Sequence, residues 1–276
     1  MSSARSTATD APGSATTADA TRQITVLLGS LLAIAAAFVG SGAFGGPDQT
    51  EVGDGALAAD ATLVAPGQPA FAIWSVIYSG LLAYAVWQAL PSRRADPRQR
   101  STGWWVLGSM LLNALWITVV QAGLLGLSVP VIAALVAVLV VVLSRLVDRP
   151  ASGVVEAVVV DGTLGLYLGW VVVATVANVA AVLTAAGYTE LGLGPEVWSW
   201  IVLLVAAAIG VGLAVYGHGR LAVGAAIVWG LAWIAVARTS GDLQSGAAAS
   251  AAVVAAVVVA LATIAVRIRS AAPRAR

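Results

Sequence analysis

Three sets of aromatic and polar residues recur at helical spacing inside otherwise apolar runs, and they are the side chains best suited to hold a ligand. Projected at about 100° per residue, Phe71, Trp74, Tyr78, Leu81 and Ala85 share one sector of the first run. Trp105, Ser109, Leu112, Trp116 and Val120 form a stripe on the second, with Asn113 at its edge. Glu156, Thr163, Tyr167, Trp170, Ala174 and Asn178 align on the third. Indole, phenol and amide groups in this pattern suit stacking on, and hydrogen bonding to, a flat apolar molecule. Polar side chains within lipid face the bundle interior, so the stripes should converge. Plain packing for Trp74, Trp116 and Trp170, and interhelical hydrogen bonding for Asn113 and Asn178, stand as equal alternatives at this point.

The rest of the chain offers little for bond-breaking chemistry. It has no cysteine, which removes thiolate nucleophiles, disulfides and thiolate metal sites, and one histidine, His218, in the turn Gly217-His218-Gly219-Arg220. No paired carboxylates, nucleophile elbow or phosphate-binding glycine loop is present, so no catalytic residues, metal site or required cofactor are expected. Asp161 is the one acid deep in an apolar context; it is expected to pair with Arg145 or Arg149, or to lie at the interface. A net charge of +1 argues against nucleic acid as a partner.

The elements that must carry these stripes are membrane spans. The chain of 276 residues is 60% apolar and 10% charged, with a mean hydropathy of +0.94, against about 25% charged in soluble domains. Runs long enough to cross the hydrocarbon fall at 24–44, 69–90, 104–122, 127–147, 154–183, 197–216, 221–237 and 247–266. This predicts an all-α, polytopic bundle of eight spans, following a Ser/Thr/Ala-rich disordered tail over residues 1–22. With both termini cytoplasmic, thirteen of the fourteen arginines fall inside and only Arg238 outside, as the positive-inside rule requires. The loop over residues 45–68 carries Asp48, Glu51, Asp54 and Asp60 and no base, and is long enough to fold over the outer mouth. Trp87, Trp104, Tyr188, Trp198, Trp200 and Tyr216 lie at span ends, where an interfacial belt accounts for them. Trp229 and Trp233, one turn apart, read as packing.

Together the stripes resemble the TspO/MBR family of tryptophan-rich sensory or translocator proteins. Phe71-Ala72-Ile73-Trp74 through Tyr78 is similar to the family's F-P-x-x-W-x-x-L-Y element. Leu111-Leu112-Asn113-Ala114-Leu115-Trp116 is similar to L-x-L-N-x-x-W. Tyr167-Leu168-Gly169-Trp170-Val171, with Ala174 and Asn178, resembles P-Y-x-x-W-V-x-x-A-x-x-x-N. Ala72 and Leu166 stand where the family has proline, which is expected to remove local helix distortions. No base follows the fifth span, so the cholesterol motif is not carried over. The resemblance covers a TspO-like five-helix core, residues 23–183. Residues 184–276 add three spans and a basic tail that short members lack.

The resemblance implies an intramembrane pocket for a hydrophobic ligand, with porphyrin or haem as the class, walled by Phe71, Trp74, Tyr78, Asn113, Trp116, Tyr167, Trp170 and Asn178 and covered by the loop between the first two spans. A membrane sensor or binding protein in a bacterial cytoplasmic membrane is the function expected. Its partners would be the lipid bilayer and the ligand, and its small-residue faces permit a homodimer. A small-molecule transporter using the three added helices, or a porphyrin-degrading membrane enzyme, are the rival expectations.

Overall fold

The computed structural model describes residues 14–40, 55–188 and 192–272. All eight runs are helices long and apolar enough to cross a membrane: α1 (Thr17–Gly40), α2 (Gln68–Ala89), α3 (Pro97–Gln121), α4 (Leu125–Asp148), α5 (Val154–Ala185), α6 (Pro195–Tyr216), α7 (Leu221–Ser240) and α8 (Gly246–Ala271). At 1.5 Å per residue even the 20-residue α7 spans about 30 Å, the thickness of the hydrocarbon core. The helix ends follow local chemistry. Asp96 caps α3, accepting from the Arg98 amide at 2.8 Å, with Pro97 in the first turn. Ser245 caps α8 in the same way. Gly187, with φ of +80°, closes α5, where the Tyr188 amide donates to the Leu183 carbonyl at 2.9 Å.

Residues 17–22, expected to lie in a disordered tail, are the first turns of α1, and residues 1–13 lie outside the described residues. The helix starts at Thr17 because Thr16 and Asp19 form a reciprocal cap: the Thr16 amide donates to Asp19 at 2.9 Å and the Asp19 amide donates to Thr16 Oγ1 at 3.3 Å. Asp19 is also held by Arg100 of α3 at 2.5 Å, which anchors this turn to the bundle. The acidic stretch Asp48, Glu51 and Asp54 falls outside the described residues.

The first five helices close into a ring. α1 packs on α2 and α3, α3 on α4, α4 on α5, and α5 returns to α2. Placing α1 between α2 and α3 turns the three aromatic stripes toward one interior. The remaining helices form a second layer: α7 packs along α5, α8 along α7, and α6 along α8, with only a thin contact between α5 and α6. The α5–α7 seam is built on small residues. Gly165 lies against Ala222 and Val223, and Gly169 against the Val223 carbonyl and Ala226, a small-x-x-x-small seam that lets the backbones approach closely.

Two local distortions occur where none was expected, and no proline at position 72 or 166 is needed for them. Gln68–Ala72 is a tight 3-10 turn with Pro69 in its first positions, leading into the regular helix from Ile73. In α5, Ala157–Gly162 is a π segment. Its i→i+5 repeat stacks Glu156 and Asp161 on one side, where a regular helix would set them roughly 140° apart.

Candidate functional site

All eight residues of the expected wall come together in the ring interior. The Trp74 and Tyr78 rings stack with centroids 5.1 Å apart. Trp74 meets Tyr167 edge-on at 6.0 Å and Trp170 at 6.3 Å, and Phe71 meets Trp170 edge-on at 5.5 Å. Edge-to-face and offset arrangements are the favoured geometries of aromatic pairs. The polar atoms stitch the same three helices. Asn113 Nδ2 donates to the Tyr78 hydroxyl at 3.0 Å, and the Tyr167 hydroxyl donates to the Ser109 carbonyl at 3.0 Å. Trp116 Nε1 donates to Asn178 Oδ1 at 3.4 Å, and Asn178 Nδ2 donates to Ser128 Oγ on α4 at 2.9 Å. Tyr167, Trp170 and Asn178 are buried to 1% exposure or less.

One donor is left over. Trp170 Nε1 is buried and has no hydrogen-bond partner among the described residues. An unmet buried N–H costs about 1–3 kcal/mol, so this position favours a molecule that brings an acceptor. Trp170 lines a cavity of about 40 Å³ together with Phe71, Trp116 and Asn178 on the helix side and Leu57, Thr62 and Pro66 on the loop side. That volume lies far below the roughly 300–1,000 Å³ of small-molecule sites. In this state the rings fill their own hollow, and the loop closes it.

The loop is pinned by α7. The Gly67 amide donates to the Trp233 carbonyl at 3.2 Å, and Trp229 Nε1 donates to the Ala70 carbonyl at 2.9 Å. Arg238 donates to the Thr62 carbonyl at 3.1 Å and to the Ala59 carbonyl. Its side chain is 1% exposed, spent on holding the loop instead of facing water. Trp229 and Trp233 do pack on each other, at 5.7 Å, but they also fix the entry to α2. Arg238 was legible only as the lone arginine on its side; its role as a fastening depends on a contact between residues 176 apart in sequence.

Three expectations for other residues change. Glu156 does not join the aromatic face; it accepts from the Ser152 amide at 2.9 Å and lies 3.2 Å from Arg98. Asp161 pairs with Arg98 at 2.6 Å and with Arg220, and with neither Arg145 nor Arg149. The π segment is the cause, since it turns both acids toward α3 and the α6–α7 turn. Trp105 is 39% exposed, so the α3 stripe faces inward only from Ser109 onward. His218 is exposed in its turn, with φ of +55°. Among the described residues no group of acids and histidines is arranged to hold a metal.

A family model described as TSPO-like protein matches residues 23–266 and so takes in both the ring and the second layer. No curated protein and no solved structure matches the chain.

Proposed function

The chain belongs to the TSPO-like family, and on that premise we propose that it is a membrane sensor or binding protein that takes a flat hydrophobic ligand of the porphyrin or haem class into the aromatic pocket of its five-helix ring. The observation that carries this reading is the convergence of Trp74, Tyr167, Trp170 and Phe71 around a buried, unpaired Trp170 Nε1. Tetrapyrroles combine a stackable face with acceptor groups, which matches a pocket of rings and one spare donor. The small closed cavity assigns a part to the loop over residues 55–67: it must move away before a ligand of that size can enter. The concentration of arginine at one end supports reading that end as the cytoplasmic one, and a bacterial cytoplasmic membrane is part of the same proposal.

Conventional catalysis has little to work with here, because the interior supplies indoles, phenols and amides with no acid–base pair. A carrier would draw on Glu156 or Asp161, and both are committed to ion pairs with Arg98 and Arg220. The test is titration of the purified full-length protein with protoporphyrin, followed by the Soret shift and by tryptophan quenching. Trp170→Phe should weaken binding at least several-fold, and Trp74/Trp116/Trp170→Phe should abolish it while the helical circular dichroism is kept. Unchanged binding by a folded triple variant would remove the site.

A further inference from the structure

A second hollow lies outside the ring, where α5 and α6 splay apart. At the arginine-poor end, a cavity of about 400 Å³ is lined by the loop at Thr62, the end of α5 at Thr184 and Tyr188, the start of α6 at Glu196 and Trp198, and the α7–α8 connection at Gln244. Below it, toward mid-membrane, a separate groove of about 250 Å³ runs between the helices, walled by apolar side chains such as Val176, Val179, Leu183, Ile201 and Val205. The two share Ala180 and Trp198 and therefore adjoin. From Thr175 to Leu183 the groove runs roughly 12 Å along α5 at 1.5 Å per residue. The chamber with Glu196 sits at the helix ends and the apolar slot runs toward the middle of the helices, in the order of a head and a chain.

Charge selects the head. Glu196 is the one charged residue among those lining the chamber. One of its oxygens accepts from Ser245 at 3.2 Å, and the other has no protein donor among the described residues. Trp198 and Tyr188 line the same chamber, and aromatic rings attract cations. The nearest arginine by position, Arg238, is turned to the loop carbonyls. Asp60 and Asp242 add to the negative character of this end of the molecule. We propose that the α5–α6 cleft is a binding site for a chain amphiphile with a cationic, ammonium-type head, seated with its head beside Glu196 and its chain against Val179 and Val205. The site is distinct from the aromatic pocket, and the second helical layer supplies half of its wall.

The test uses full-length protein in detergent with two photoreactive probes of equal chain length, a diazirine-bearing alkyltrimethylammonium and the matching alkyl sulfate, and maps adducts by mass spectrometry. Adducts should concentrate on residues 175–205, with the ammonium probe favoured about five-fold. Glu196→Gln, a substitution on the exposed surface, should erase that preference while chain labelling of the groove persists. Val202→Trp, which fills the groove, should remove labelling by both probes. Adducts spread evenly over the lipid-facing helices, equal labelling by the two probes, or a preference unchanged in Glu196→Gln would overturn the proposal. Protoporphyrin titration of Glu196→Gln should be unaltered, which separates this site from the aromatic one.

Discussion

The two ends of the bundle are fastened by different means. At the arginine-rich end, Arg98 is 5% exposed and sits between Glu156 and Asp161, with its Nε donating to the Arg149 carbonyl at 2.7 Å. Arg220 adds a second cation to Asp161 and donates to the Leu146 carbonyl at 2.6 Å. This network joins α3, α4, α5 and the α6–α7 turn, and a second one, Asp19 with Arg22 and Arg100, joins α1 to α3. At the other end Arg238, Trp229 and Trp233 hold the loop by its backbone carbonyls and amide, and among the described residues no carboxylate forms an ion pair with Arg238. Charges buried together at one end resist opening, because separating any pair strands a charge in a dry place. Neutral acceptors at the other end can return to water when the loop lifts. The bundle is thus anchored where the helices are welded, and on the proposed function the loop end is the one that opens.

Removing the weld should have the largest effect. Arg98→Leu leaves Glu156 and Asp161 without their shared cation and should cost about 3–5 kcal/mol, read as a large fall in the thermal midpoint in detergent. Adding Glu156→Gln and Asp161→Asn should recover part of it, since the stranded charges are then gone. A smaller loss is expected at the seam that links the layers. Gly169→Ala sets a methyl group against the Val223 carbonyl, and such overpacking costs about 1–3 kcal/mol.

The loop end should respond in access more than in stability. The chain lacks cysteine, so Thr62→Cys gives a clean maleimide reporter. Arg238→Ala should raise its labelling rate about ten-fold through loss of charge-assisted hydrogen bonds, with little change in the thermal midpoint. If labelling stays the same, the loop is not held by Arg238 and the contrast between the ends fails. The smallest effect is expected at Gly108, where an added Cβ meets nothing within 4 Å. Gly108→Ala should be neutral or stabilising by up to about 1 kcal/mol through helix propensity.

Much of this was legible from residue order. Long apolar runs gave all eight spans, because a bilayer admits few other ways to satisfy the backbone, and stripes at helical spacing brought Trp74, Asn113, Tyr167 and Asn178 into one interior. What escaped was set by contacts distant in sequence or by a broken period. A 100° projection placed Glu156 with Tyr167 and set Asp161 aside, whereas across the π turn at Ala157–Gly162 the two acids share Arg98 and leave the aromatic face. The partners Arg98 and Arg220 lie 63 and 59 residues from Asp161, so no local pattern announces them. Likewise Ser128, which holds Asn178, looks like any small residue at the start of a span.

The central claim is that the loop must leave α7 for the aromatic pocket to fill. A Cβ built at Gly67 lies 3.5 Å from the Cβ of Ala237, within the span a disulfide bridges. Gly67→Cys/Ala237→Cys, with bond formation confirmed by mass spectrometry, locks the loop shut when oxidised and frees it when reduced. Protoporphyrin binding should vanish in the oxidised protein and return to the parental level on reduction. Equal binding in both redox states would mean that ligand reaches the protein by another way, and the account of a loop-gated pocket would be wrong.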